Sequence, residues 1–140
     1  MSYLGTISSR EYNGLKLAMQ LAQTYYDQKS ISLADISKSE NISFKYLEQL
    51  ITPFRQAGWI KAQRGRGGGY VMTKDPKTIS LKEIMKMLND EPRMLVCLED
   101  NYKHDCPLDS DCSSQLVWKE IKSSIDNSLE KITLSKVLKK

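Results

Sequence analysis

Three features of the sequence predict a mainly α-helical fold with one small β-hairpin. Apolar residues recur at three- and four-residue steps in several stretches, which is the spacing of amphipathic helices. Capping boxes led by a serine precede three of these stretches. Five of the seven glycines lie between residues 58 and 69, around two short runs typical of strands. The 140 residues, 40% of them hydrophobic, suffice for one folded domain with a small second region.

Capping boxes mark the first two predicted helices. Ser8 and Glu11 have the spacing at which the serine hydroxyl accepts from a first-turn amide and the glutamate reaches back. An apolar stripe at helical spacing follows as far as Tyr26. Ser32 and Asp35 form a second box before a shorter helix.

A third helix is predicted after a tight turn. Ser43 is a favoured N-cap residue, and Gly58 stands where glycine commonly follows a helix. Pro53 should bend this helix or loosen its last turn. Helix, short helix, tight turn and helix is the order of a helix-turn-helix, in which the last helix is free to enter a DNA groove.

Two short strands are predicted directly after the third helix. They cover residues 59–63 and 70–73, and the glycine-rich segment 64–69 joins them. A hairpin behind a helix-turn-helix is a wing. The predicted fold class is therefore mainly α with a small β-hairpin wing, a winged helix-turn-helix DNA-binding domain over residues 1–78.

Residues 79–140 are predicted to hold a cysteine loop and a long dimerisation helix. Ser80 and Glu83 cap a short helix, and segment 90–111 has no apolar period. A long amphipathic helix then begins at residue 113 or 114. Its apolar stripe comprises Val117, Trp118, Ile121, Ile125, Leu129 and Ile132. A small domain cannot cover the whole stripe, so we expect a symmetric homodimer.

The charge distribution is more informative than the formal net charge of +4. Segment 49–74 carries five cations and no acid, whereas segment 90–112 carries seven acids and two cations. No apolar run reaches the length of a membrane span, and the first residues lack the features of a signal peptide. We therefore expect a cytoplasmic protein without membrane contact, in which grouped cysteines favour a metal or redox site over disulfides.

The glycine-rich hairpin is the first candidate site. Its glycines let the loop approach a phosphate backbone, and Arg64 and Arg66 can enter a narrow minor groove, where the potential is most negative. The alternative is a solvated hairpin whose glycines only satisfy turn geometry. DNA contact is favoured because the helix-turn-helix pattern does not depend on the hairpin.

The start of the third helix is the second candidate site. Ser43, Phe44, Lys45 and Gln49 are predicted to be exposed, and lysine pairs with guanine acceptors while glutamine pairs with adenine. Glu48 either accepts from a cytosine amino group or repels wrong placements. The alternative is an ordinary solvated helix face.

The three cysteines, Cys97, Cys106 and Cys112, are the third candidate site. Thiolates bind iron–sulfur clusters or zinc, and both need four ligands. His104 could complete a zinc site of three cysteines and one histidine. The spacing lacks a Cys-x-x-Cys pair, so unliganded thiols are the alternative. No enzyme is expected, because a nucleophile pair of Cys106 and His104 would have neither a pocket-forming sheet nor an oxyanion loop.

Four segments resemble signatures of the IscR/NsrR/RirA regulators. They are SFKYLEQL at 43–50, RQAG at 55–58, RGRGGGY at 64–70 and ITLS at 132–135. The resemblance implies a winged helix-turn-helix homodimer, joined by its long C-terminal helices, that binds near-palindromic double-stranded DNA operators. In many members an iron–sulfur cluster on three cysteines senses iron–sulfur status, nitric oxide, iron or redox state.

The resemblance also assigns roles to particular residues of this chain. The base-contacting positions of the recognition helix fall on Ser43, Lys45, Glu48 and Gln49, and the minor-groove arginine falls on Arg64. The implied cluster ligands are Cys97, Cys106 and Cys112.

This sequence departs from the family pattern at the fourth ligand. IscR-like proteins have a histidine three residues after the third cysteine, where this chain has Gln115, and their first two cysteines are closer together. Some relatives recruit a carboxylate from the start of the partner's first helix, a place that Glu11 occupies. The alternative role of Glu11 is its capping box.

The expected function is that of a homodimeric DNA-binding transcription regulator, acting as a repressor. A [2Fe–2S] or [4Fe–4S] cluster on the three cysteines would control operator binding. The alternative is a regulator of the same fold without a cluster, which senses through zinc, thiol oxidation or a protein partner.

Overall fold

The computed structural model describes residues 7–88 and 112–138. The elements in these ranges, in chain order, are α1 (Ser9–Asp27), α2 (Leu33–Glu40), α3 (Phe44–Gln56), β1 (Ile60–Gln63), β2 (Gly69–Met72), α4 (Leu81–Leu88), α5 (Gln115–Lys131) and α6 (Leu134–Val137). A 3-10 turn, Pro76–Thr78, precedes α4. The predicted loop at 90–111, with Cys97, His104 and Cys106, lies outside the described residues.

All three predicted capping serines are found at helix starts, and two of them, Ser8 and Ser80, form complete capping boxes. At α1 the Ser8 amide donates to the Glu11 carboxylate at 3.2 Å and the Glu11 amide donates to the Ser8 hydroxyl at 3.1 Å. Ser80 and Glu83 make the same pair of bonds at α4, at 2.9 and 3.2 Å. At α2 the Ser32 hydroxyl accepts from the Asp35 amide at 3.1 Å. Each box satisfies amides that a helix start leaves without partners.

The hairpin forms, and each strand begins and ends within one residue of the predicted position. β1 and β2 are antiparallel, in a register from Ile60 opposite Met72 to Gln63 opposite Gly69. β2 therefore ends before Thr73, whose amide instead donates to a backbone carbonyl at the base of the hairpin. The mainly helical fold with a two-stranded antiparallel hairpin agrees with the predicted class.

A residue between α1 and α2 extends the hairpin by one pairing that the sequence did not predict. Ile31 and Tyr70 exchange backbone hydrogen bonds of 2.9 and 2.8 Å, as in an antiparallel ladder. The close approach depends on Gly69, because a Cβ atom there would clash with the Ile31 carbonyl. Backbone hydrogen bonds thus attach the wing to the segment that precedes α2.

The C-terminal end of α5 is tied back to the start of α4. The Leu81 amide donates to the Ile132 carbonyl at 2.8 Å, and the Leu134 amide donates to the Ile79 carbonyl at 2.9 Å. Leu134 and Ile79 are fully buried. The ITLS segment therefore pairs with the residues that lead into α4, a contact that was not predicted.

One hydrophobic core underlies both predicted regions. Residues on either side of position 78 belong to the same buried cluster. The most fully buried side chains are those of Phe54, Leu17, Leu21, Ile36, Leu47, Leu50, Ile51, Ile79, Ile84, Leu88 and Leu134. The predicted division at residue 78 is therefore crossed by core packing.

Helix α5 starts where the sequence predicted but buries none of its side chains. Val117 of the predicted apolar stripe is 57% exposed and its other members are half-buried, while Leu116, outside the stripe, is 78% exposed. The helix ends at Lys131, so Ile132 lies outside it in an extended conformation. Among the described residues, no helix is both long and apolar enough to cross a membrane.

Candidate nucleic-acid interface

Helix α3 has one buried face and one exposed face. Leu47, Leu50, Ile51 and Phe54 enter the core, at the three- and four-residue steps of a helix. The opposite face exposes the side chains predicted to contact bases, which are Ser43, Lys45, Glu48 and Gln49. The structure therefore brings these four residues together at one exposed end of α3.

The hydroxyl groups on this face of α3 also have local structural roles. Ser43 is the N-cap, and its side-chain oxygen accepts from the Tyr46 amide at 3.1 Å. Thr52 lies farther along the exposed face, and its hydroxyl donates to the Glu48 carbonyl at 3.1 Å. Thr52 was not singled out from the sequence, although its helical spacing from Lys45 and Glu48 places it on the same face.

The wing loop exposes both predicted arginines. Arg64 and Arg66 lie between the strands, and their side chains are exposed. Gly65 and Gly67 turn the loop with φ values of 100° and 70°, a region that side-chain-bearing residues rarely adopt. The loop therefore exposes two cations, and each of them is followed by a glycine in a conformation that other residues adopt only with strain.

A serine outside the wing holds the wing loop. The Ser30 hydroxyl donates to the Gly67 carbonyl at 2.6 Å, next to the pairing of Ile31 with Tyr70. These contacts fix the loop relative to the start of α2. No sequence signal pointed to Ser30, because its partner lies 37 residues away.

An open groove of about 350 Å³ separates α3 from the wing. Its lining residues are Ser32, Leu33, Ala34, Phe44, Glu48, Ile51, Arg55, Gly69 and Tyr70. Arg55 is exposed at its edge, and Lys45, Lys61, Arg64 and Arg66 are exposed on the neighbouring surfaces. The helix and the wing on either side of the groove thus carry five exposed cations, which would attract a polyanion, and the Glu48 carboxylate lines the groove itself.

The base of the wing is linked electrostatically to α4. The ammonium group of Lys74 lies 4.7 Å from the centroid of the Trp59 ring, in a cation–π arrangement. The same group is 3.6 Å from the Glu83 carboxylate. Glu83 caps α4, so Lys74 connects the wing to the helix that also contacts α5.

Cys112 is the one predicted cysteine ligand within the described residues. It precedes α5, and its Sγ lies 3.4 Å from the Ser114 hydroxyl oxygen. Hydrogen bonds from the Ser114 side chain and from backbone groups of Ser114 and Gln115 lower the pKa of this thiol. A lowered pKa favours the thiolate, the form that binds metals and reacts with oxidants.

The other predicted metal ligands are not seen to form a site with Cys112 in the described residues. Cys97, Cys106 and His104 lie outside residues 7–88 and 112–138, and within those ranges no three metal-ligating side chains come together. Glu11 is only 6% exposed and makes both bonds of the capping box described above, so its alternative role is confirmed. Its role as a cluster ligand stays a prediction.

Comparison with known protein families shows which family the chain matches. The profile of the Rrf2 family, described as an iron-dependent transcriptional regulator, matches residues 7–140. This chain belongs to the Rrf2 family. The match covers both the helix-turn-helix with its wing and the C-terminal cysteine region.

Individual relatives agree with the family assignment. The HTH-type transcriptional regulator IscR of Vibrio cholerae is 33% identical over 121 residues, 86% of this chain and 68% of the relative. The solved structure of T. potens IscR has 31% identity and a TM-score of 0.70, over 93% of this chain and 83% of that one. CymR, the global cysteine regulator of B. subtilis, has 29% identity and a TM-score of 0.72 over 93% of each chain.

These similarities confirm the resemblance and the predicted fold class. The chain is an Rrf2-family transcriptional regulator of the IscR type, with a winged helix fold. Its relatives carry regulator names, in line with a DNA-binding function and with the expectation that it is not an enzyme.

Proposed function

We propose that this Rrf2-family chain is a cytoplasmic homodimer that binds a double-stranded DNA operator and represses transcription. An iron–sulfur cluster, [2Fe–2S] or [4Fe–4S], held by Cys97, Cys106 and Cys112, controls its operator binding. The observation that carries the DNA-binding part is the joint exposure of the α3 face and the two wing arginines. The cluster part rests on the family likeness and on the lowered pKa of the Cys112 thiol.

Two kinds of DNA contact follow from the exposed surface. Ser43, Lys45, Glu48 and Gln49 would read base edges in the major groove, where each base pair presents a distinct pattern of donors and acceptors. Arg64 and Arg66 would enter the flanking minor groove. There the DNA sequence is recognised through the width of the groove and its negative potential. Arg55 and Lys61 would contact phosphates without reading sequence.

The uncovered face of α5 supports a symmetric dimer. A helix of 17 residues with none buried leaves an apolar stripe that a second copy of the same helix can cover. A two-fold axis through this contact would present two α3 helices to two half-sites, as near-palindromic operators require.

The donor set fits a cluster or a zinc ion. The lowered pKa of Cys112 increases the fraction of thiolate, which is the ligand form that iron–sulfur clusters and zinc require. Cys97 and Cys106 would supply two further thiolates. Glu11 of the partner subunit, or His104, would be the fourth ligand. When bound, a cluster would supply a redox-active group that iron supply, nitric oxide and oxidants can alter.

The contacts around α4 suggest how a change near Cys112 would reach the DNA-binding surface. Cys112 leads directly into α5, and the far end of α5 is hydrogen-bonded to the start of α4 through Ile132 and Leu134. Glu83 in α4 contacts Lys74 at the base of the wing. A shift of α5 would therefore alter both the spacing of the two α3 helices and the support of each wing.

The proposal is tested in two steps with the full-length protein. First, sites are selected from random DNA, and affinity is titrated against salt; absent binding, or binding without salt dependence, would overturn DNA recognition. Second, protein purified anaerobically with iron and sulfide is compared with the metal-free form on one operator at matched salt. A visible chromophore and different affinities are expected, and equal affinities would reject control by the cluster.

A second candidate function keeps DNA binding and omits the cluster. Gln115 occupies the position at which IscR-like proteins have a histidine, and the thiol of Cys112 has a lowered pKa. The global cysteine regulator CymR, a structural relative, shows that the fold also occurs in proteins named for another signal. A colourless anaerobic preparation, with bound zinc or with DNA affinity that changes on thiol oxidation, would favour this candidate. Promoter binding that is weak and independent of salt would instead favour a protein partner.

A further inference from the structure

Phe44 is a large apolar side chain on the exposed side of α3. It is the first residue of the helix, and 49% of its surface is exposed. The helix buries Leu47, Leu50, Ile51 and Phe54 in the core, each at most 2% exposed. Phe44 is therefore only half-covered by the protein, and the other half of its side chain faces solvent.

The surroundings of Phe44 are those of a DNA-facing surface. It adjoins Lys45 in the first turn and borders the groove between α3 and the wing, together with Glu48 and Arg55. In helix-turn-helix proteins the first residues of the recognition helix are those that reach base edges. An exposed ring at this position would be carried into the major groove with its polar neighbours.

We propose that Phe44 is a specificity-determining residue that contacts the C5-methyl group of a thymine in the operator. This inference rests on the proposed DNA binding through α3. Among the base edges in the major groove, only thymine presents a methyl group, while recognition at the other bases relies on hydrogen-bond donors and acceptors. Lys45, Glu48 and Gln49 can pair only with those polar groups, so the ring of Phe44 adds a selectivity that they lack.

The expected effect is small and specific. Burying one methyl group against the ring contributes about as much as one buried CH₂, which corresponds to roughly fourfold in affinity. Deoxyuridine has the same hydrogen-bonding groups as thymidine and lacks only the methyl group. Each thymine of the site selected from random DNA is therefore replaced singly with deoxyuridine, and affinity is measured by fluorescence anisotropy.

Wild-type protein should lose about fourfold at the contacted thymine of each half-site and nothing at flanking thymines. Phe44→Ala should bind thymine and deoxyuridine sites equally, and Phe44→Leu should keep part of the difference. Tyr26→Ala is the matched control, because Tyr26 is an exposed aromatic residue on α1, and it should keep the full difference. Urea unfolding verifies that each variant is folded.

The outcomes separate this inference from the proposed function. Failure to select any site would overturn DNA binding itself. A selected site with no methyl-sensitive thymine, or an equal fourfold loss in Phe44→Ala and wild type, would overturn the role of Phe44 alone. Where Phe44→Ala binds too weakly to titrate, Phe44→Leu carries the comparison: a reduced ratio supports the contact and an unchanged ratio rejects it.

Discussion

The hydroxyl oxygen of Thr24 accepts a hydrogen bond of 2.9 Å from the backbone amide of Met72. Thr24 lies in α1 and Met72 ends β2, and both residues are buried. The same hydroxyl donates to the Leu21 carbonyl at 2.5 Å, so its proton is directed away from the strand. One side chain thus satisfies a buried strand amide, and it fixes the wing to the longest described helix.

Replacing Thr24 with valine should destabilise the fold by about 1–3 kcal/mol, because the buried Met72 amide loses its acceptor while the shape is kept. Urea unfolding measures the difference. Thr24→Ser keeps the hydroxyl and is the control, with a smaller loss. Equal losses in the two variants would indicate that the methyl group, and not the hydrogen bond, matters.

Gly69→Ala should separate the wing from the segment before α2. The added Cβ would meet the Ile31 carbonyl, which must move and release its bond to Tyr70. We expect a stability loss of at least about 1 kcal/mol and weaker DNA binding, since the arginine loop loses its support. Gln63→Ala, at the exposed position opposite Gly69, should leave both quantities unchanged. A fully stable Gly69→Ala would contradict the close approach.

Arg64→Ala should weaken operator binding by about 1–3 kcal/mol, or roughly five- to 150-fold, and lower the slope of affinity against salt by about one. The loss should be largest for sites with a narrow central minor groove. Anisotropy titrations at several salt concentrations measure both effects. Lys38→Ala removes an exposed cation from α2 and serves as the control. Unchanged affinity in Arg64→Ala would remove the wing from the interface.

The features predicted correctly from the sequence are local ones. A capping box joins residues three positions apart, so the pairs Ser8 with Glu11 and Ser80 with Glu83 follow directly from their spacing. The exposed face of α3 follows from the helical period, which places Lys45 opposite the buried leucines. The DNA-binding candidates on α3 are therefore predictable from short-range sequence patterns alone.

The features that were missed join distant parts of the chain. Ser30 contacts Gly67 across 37 residues, and Thr24 contacts Met72 across 48. Serine and threonine have no spacing pattern that identifies such partners, because tertiary packing alone brings them together. The closure of Leu134 against Ile79 was missed for the same reason. The sequence thus predicted which side chains of α3 and the wing loop are exposed, but not the contacts that hold the wing in place.

The lowered pKa of Cys112 predicts a pH dependence for the metal-free protein. Alkylation requires the thiolate, so the rate rises with pH through the pKa, and a lowered pKa moves that rise to lower pH. Ser114→Ala removes the largest stabilising contact and should shift the profile to higher pH, slowing alkylation near neutrality. Mass spectrometry of the peptide containing Cys112 follows this site separately from Cys97 and Cys106.

The control for this experiment is Ser113→Ala, which changes the adjacent serine and should leave the profile of Cys112 unchanged. A profile that Ser114→Ala does not shift would contradict the hydrogen-bond explanation. A rate that does not depend on pH would contradict reaction through a titrating thiol.

Val117→Glu should dissociate the proposed dimer. Val117 is 57% exposed in a single chain, so a glutamate there costs the monomer little, whereas in a helix–helix contact it would bury a charge. We expect the dissociation constant, measured by sedimentation, to rise at least about tenfold. Lys119→Glu adds the same side chain to the opposite, exposed face of α5 and should leave dimerisation intact. If Val117→Glu remained as dimeric as wild type, the apolar stripe of α5 would not be the dimer contact, and the two-fold arrangement of α3 helices would need another axis.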